Sequence, residues 1–435
     1  HPGGHPPAPI VFIAWNAATT SRPVPNPNGY PETLEELNAY YKEVPPEENA
    51  AVVYERAFAL QKFLKECEAV REEREKNDLP PIAPTDPLPE DLKAAMAHDL
   101  EANREAIELL YQAAAMEKCR FALDFGQGFA LKLKHHSSIE QSVQLLSMQA
   151  ELAVENGDCE TALKAFLARL AVSQCLLNEP VLRSQICRST YLAGACISLK
   201  RILNRITLSD AALEQIEEAL LNIEQPEAFT RALISERCMG LASFDNPDVT
   251  GGEFVVGSVV NEVVRDLSPI DSGKVISKAY RWSGFRNVDR DAYLEAMDYL
   301  IALSRRPLTE RADPDWGEKF LSWRTPLSRS LVPSLSWYRN TQRNNAVKAR
   351  LAQAAIAIER YRLANGCLPA ALSDLVPGFL PEILVDPFDG EPLRYKVEPD
   401  GYTIYSVGRN GKDDEGLESQ RNPWNEGDIA FAVVH

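Results

Sequence analysis

The run Ala357-Ile358-Glu359-Arg360-Tyr361-Arg362-Leu363-Ala364-Asn365-Gly366 decides how the C-terminal end of this chain folds. Val347, Leu351, Ala354, Ala355, Ile358 and Tyr361 recur at the three-to-four spacing of one helical face, with Arg350, Glu359 and Arg360 off it. Gly366 stands where a helix ends in a left-handed residue. Beyond it the periodicity falls to two. Arg394–Val397 and Tyr402–Val407 read as strands joined through Glu398-Pro399-Asp400-Gly401, and Ile429–Val434 as a third. The pattern predicts, for residues 341–434, one helix packed across a three- or four-stranded antiparallel sheet.

The order continues as a loop with Leu368-Pro369, Asp386-Pro387-Phe388-Asp389-Gly390 before the first strand, and Tyr405-Ser406-Val407-Gly408-Arg409-Asn410-Gly411-Lys412-Asp413-Asp414 after the second. It resembles the globular head of the major pseudopilin of bacterial type II secretion systems. The chain as a whole also resembles bacterial envelope proteins that carry a pseudopilin-like tail behind a helical body. The resemblance implies a bacterial, extracytoplasmic protein in the periplasm, cell envelope or medium. It also implies calcium, which the major pseudopilins hold in the loop after the second strand through Asp side chains and carbonyls. Carried over, Asn410 takes the first side-chain position and Asp428 the Asp before the last strand. Asp413 and Asp414 add carboxylates, and Val407 a carbonyl. Calcium's six to eight oxygen ligands suit such a set. Asn410 stands where the family usually has Asp, and Leu417 to Glu426 lengthen the loop. The alternative is a solvated acidic loop held by its glycines.

The remainder reads as mostly α. Residues 1–48 form an irregular arm in which Thr33 and Glu36 suit a capping box for a helix from Leu34 to Tyr41. Residues 49–305 read as a helical body of antiparallel hairpins. Long helices are expected from Asn49 to Lys76 and, past the Pro-rich Leu79 to Pro89, from Glu90 to Lys118. Helices Gln141–Asn156 and Glu160–Leu177 meet at Gly157-Asp158, a C-cap followed by an N-cap, and resemble one tetratricopeptide-type hairpin. No second copy follows at a fixed period. Asn246-Pro247 and Gly251-Gly252 mark a loop, with helices resuming at Ile270–Tyr280 and Arg290–Ser304. A Pro/Trp-rich connector, 306–340, precedes the α+β tail, 341–435.

A net charge of −17 over 435 residues excludes nucleic acid as the main partner, since phosphates need clustered Lys and Arg. No apolar run reaches the ~20 residues of a membrane helix. Because the chain starts without Met, a leader or membrane anchor is expected upstream. The eight cysteines form no C-x-x-C pair, and most of them read as buried thiols, with one or two disulfides the alternative in an oxidising compartment.

Catalytic fingerprints such as H-E-x-x-H and G-x-S-x-G are absent from the sequence. Gly126-Gln127-Gly128 reads as a tight turn. His1 and His5 could chelate copper but lie in a Pro/Gly arm, and His135-His136 reads as a helix cap with surface imidazoles rather than a metal or catalytic pair. Trp316, Trp323, Trp337 and Tyr338, interleaved with Arg306, Arg311, Arg324 and Arg329, either pack the connector or form a binding surface. The reading that follows is a non-enzymatic scaffold or binding protein with a protein partner and a calcium-stabilised tail. The alternatives are a hydrolase with its cleft between body and tail, and a component of a secretion pseudopilus.

Overall fold

A computed structural model describes residues 26–435 apart from 27, 222, 246–284, 311–312, 314, 318–324 and 419–426. His1, His5, the loop at 246–252, the helix expected at 270–280, Trp323 and Arg324 lie outside the described residues. The protein is mostly helical, with one small antiparallel sheet. Helix α1 (Leu34–Tyr40) carries the expected box, with Thr33 Oγ1 accepting from Glu36 N at 3.1 Å.

The two long N-terminal helices are each broken. The first is α2 (Ala50–Leu60) and α3 (Lys65–Lys76); the second is α4 (Glu90–Ala102) and α5 (Arg104–Ala114). One asparagine accounts for both breaks. Asn103 sits between α4 and α5, and its side chain fills the gap between α2 and α3. There Oδ1 accepts from Lys62 N at 2.7 Å and Nδ2 donates to Lys62 O at 3.2 Å. Buried Asp99 of α4 then caps α3, accepting from Cys67 N at 2.9 Å. Partners some 30 to 40 residues away satisfy the freed backbone groups.

The central hairpin forms as expected from α6 (His136–Glu155) and α7 (Cys159–Gln174). Gly157 takes φ +71°, and Asp158 accepts from Thr161 N at 3.0 Å. Then follow α8 (Leu182–Arg205), α9 (Asp210–Leu221), α10 (Pro226–Asp245), α11 (Phe285–Ser304), α12 (Pro326–Leu331) and α13 (Leu335–Asn365).

Helix α13 closes at Gly366, in the left-handed region at φ +73°. Strands β1 (Arg394–Glu398), β2 (Gly401–Ser406) and β3 (Ile429–Val434) pair antiparallel in the order β1-β2-β3, with Glu398 opposite Gly401 across the hairpin. Between Ala346 and Ile358, α13 is buried on more than the expected face, because Ala349, Ala352, Ile356 and Ala357 are inside as well. The reason is that α8 and α9 cover one side of it and the sheet lies on the other. One continuous apolar core therefore runs from Phe166 and Leu199 through Leu351 and Ile358 to Ile404 and Phe431. Separate clusters lie under α2–α7 and between α10 and α11.

Candidate functional site

Where α13 crosses the helical body it encloses a cavity of about 340 Å3, in the size range of small-ligand pockets. Leu192, Ile223, Phe229 and Leu308 give it apolar walls, while Arg188 of α8 and Gln342, Asn345 and Arg350 of α13 give it polar ones. Arg350 is neutralised by a two-pronged pair with Glu224, each contact 2.9 Å. Arg188 differs. It is 2% exposed and bonds two neutral acceptors, Gln185 Oε1 and Gln174 Oε1, each at 2.9 Å. Gln185 is itself held by its donation to Leu176 O and Glu179 O. Among the described residues no carboxylate pairs with Arg188. Burial, with the charge of Arg231 adding to it, pushes the guanidinium pKa down to about 10. On the facing wall Gln342 Oε1 and Asn345 Nδ2 are buried without a partner.

The acidic loop of the tail holds the residues expected to bind calcium. Gly408, at φ +61°, and Gly427 close its neck, where a Cβ on Gly408 would lie 2.7 Å from Gly427 O. Asp428 is buried inside the neck, and its Oδ2 accepts from Gly416 N at 2.7 Å and Asp414 N at 3.1 Å. Asn410 Nδ2 donates to Asp414 Oδ2 at 2.9 Å, so Asn410, Asp414 and Asp428 form one bonded chain. Asp413 turns to Glu415 N at 3.0 Å, and Val407 N is anchored on Asp386 Oδ2 at 3.0 Å. The second Asp428 oxygen, Oδ1, is buried with no partner. Burial, reinforced by Asp413 and Asp414, pushes the Asp428 carboxyl pKa above its usual range despite the two amides.

His135 and His136 correct the expectation of surface imidazoles. The side chains are 9% and 10% exposed, facing the turn between α7 and α8 rather than solvent. The 3-10 turn at Phe125–Ala130, which contains Gly126-Gln127-Gly128, carries the chain inward, and His135 stacks on Phe121 with centroids 4.2 Å apart. There both rings meet Glu179, itself 1% exposed. Nothing in the sequence links Glu179 to a His pair more than forty positions upstream. In the connector, Trp316 stacks on Tyr299 at 6.1 Å and joins the core between α10 and α11, which is a packing role. All eight cysteines are free thiols. No helix among the described residues is long and apolar enough to cross a membrane.

No protein-family model matches the chain, and no curated protein or solved structure matches it.

Proposed function

We propose that this is a non-enzymatic, extracytoplasmic binding protein whose cavity takes the carboxylate end of an apolar ligand, such as the C-terminal residues of a partner protein. Arg188 carries the proposal. A guanidinium that is buried, opens onto a cavity and faces only neutral acceptors leaves a positive charge for a ligand to complete. Capture is favoured over hydrolysis by the lining chemistry. The carboxylate on the wall, Glu224, is engaged by Arg350, and the Ser304 hydroxyl donates to Ile301 O at 2.7 Å. The extracytoplasmic setting rests on the likeness of the tail to pseudopilin heads. So does the calcium ion assigned to Asn410, Asp413, Asp414, Asp428 and the carbonyl of Val407, which the lone Asp428 Oδ1 supports.

The test is calorimetric titration with short apolar peptides that differ only in a free or amidated C-terminus. The free acid should bind, and the amide should bind roughly tenfold to a hundredfold more weakly, the span of one charge-assisted hydrogen bond. Gln342→Leu, on the opposite wall, should weaken the acid without disturbing Arg188. Equal binding of acid and amide, or no binding of either, would contradict the proposal.

A further inference from the structure

Outside the cavity and the tail loop, the described residues bring one group of metal-ligating side chains together. His135, His136 and Glu179 each offer a donor atom, and the three lie within 4.8 Å of one another. Glu179 Oε1 is 2.6 Å from His135 Nε2, and Oε2 is 3.7 Å from His136 Nε2. Two ligands of one tetrahedral zinc, each ~2.0 Å from the ion, stand roughly 3.3 Å apart, between these two separations.

An ion triad without metal is the competing account, and the hydrogen-bond geometry counts against it. Although His135 Nε2 and Glu179 Oε1 are close, neither has a hydrogen-bond partner, and Glu179 Oε2 and His136 Nδ1 are unpartnered as well. Ligands of a shared ion need no hydrogen bonds to one another, because the metal satisfies each of them. Four buried polar atoms would otherwise be left without hydrogen bonds. The surroundings suit an ion. Phe121 fixes the ring of His135, and Ser184 Oγ lies 3.1 Å from His136 Nε2.

We propose that His135, His136 and Glu179 hold a divalent transition-metal ion, zinc by the nitrogen-and-carboxylate chemistry of the set, as a staple that ties the start of α6 to the turn between α7 and α8. Three protein ligands leave the fourth tetrahedral position to a water molecule.

The experiment is zinc titration of chelator-treated protein by calorimetry, with cobalt substitution followed by visible absorption. Wild type should take up one zinc per chain, raise its melting temperature on binding, and give the intense visible bands of tetrahedral cobalt. His135→Gln and Glu179→Gln should each weaken zinc by at least the roughly tenfold to hundredfold that losing even an outer partner costs. Glu382→Gln, at an exposed carboxylate of the tail, should leave zinc binding unchanged. No zinc uptake by wild type, or wild-type affinity in Glu179→Gln, would overturn the proposal and leave the triad as an ion cluster. If either substitution prevents folding, the cobalt spectrum of wild type still decides, because the pale spectrum of six-coordinate cobalt would equally overturn it.

Discussion

Asn204 pairs with the free edge of the sheet as a neighbouring strand would. Its Oδ1 accepts from Val434 N at 2.8 Å, and its Nδ2 donates to Ala432 O at 3.0 Å. Lys200, one turn earlier on α8, donates to Ala430 O at 3.4 Å. The body thus covers the β3 edge, which left open would template pairing with another chain. Replacing Asn204 with Ala should cost about 1–2 kcal/mol for the two lost bonds. Amide exchange at Val434 should speed up while the β1–β2 amides stay protected. Unchanged protection at Val434 would mean that α8 covers the edge without needing this side chain.

Two glycines separate the effect of conformation from that of space. Gly157 has φ +71° and open space where a Cβ would go, so Gly157→Ala should cost about 1 kcal/mol through backbone strain. Gly401 is different, because a Cβ there would fall 1.9 Å from Val433 O, a backbone atom that cannot rotate away. Gly401→Ala should therefore force β2 off β3 and cost on the order of 3 kcal/mol or more. Denaturant midpoints for the two variants check this, and the order Gly401 worse than Gly157 is the expected result.

The tail loop should respond to calcium. Asp428 Oδ1 lacks a partner beside the carboxylates of Asp413 and Asp414, and a cation would relieve both the burial and the repulsion. At a hundredfold excess over its dissociation constant, calcium should add about 2.7 kcal/mol to wild-type stability. Asp428→Ala should abolish that gain. Melting curves in calcium and in chelator measure it, and coincident wild-type curves would leave the loop as an ordinary acidic turn.

The His135–His136–Glu179 cluster sets a pH dependence for the metal-free protein. Burial opposes charge on His136, but the neighbouring Cys187 thiol and Glu179 carboxylate outweigh it and raise its pKa above 6.5. Burial likewise opposes charge on Glu179, but His135 and His136 hold its pKa below 4.5. The His136 contribution is complete below pH 6.5 and fades as pH rises through the raised value. The Glu179 contribution is complete above pH 4.5 and fades as pH falls through the lowered one. In chelator, the melting-temperature gap between wild type and Glu179→Gln should be widest between those two values and narrow toward alkaline pH. A gap that widens with rising pH would contradict the assignment.

What the sequence disclosed follows the range of the interactions involved. The Thr33 cap, the Gly157-Asp158 turn, the left-handed Gly366 and the Pro399-Asp400 hairpin are set by residues within a few positions of one another, and all stand where the pattern put them. The breaks near Lys62 and Asn103 are not local. The two segments keep helical periodicity through both, and the interruption is stabilised by a side chain 41 positions away. The burial of α13 on two sides was written in Ala349, Ala352 and Ala357, but alanine fits a core as readily as an exposed helix and names no neighbour. Arg188, Gln342 and Glu179 give no sequence signal at all, because each is defined by what surrounds it in space.

The central claim is that Arg188 is the anchor for a ligand carboxylate, and its own guanidinium reports on that most directly. With nitrogen-labelled arginine, the Arg188 Nε–H resonance can be assigned by its loss in Arg188→Gln and followed during titration with the free-acid and the amidated peptide. The account predicts a saturable shift of that resonance with the free acid alone, while Arg350, already paired with Glu224, moves less. An Arg188 signal unmoved by the acid, or moved equally by the amide, would contradict it.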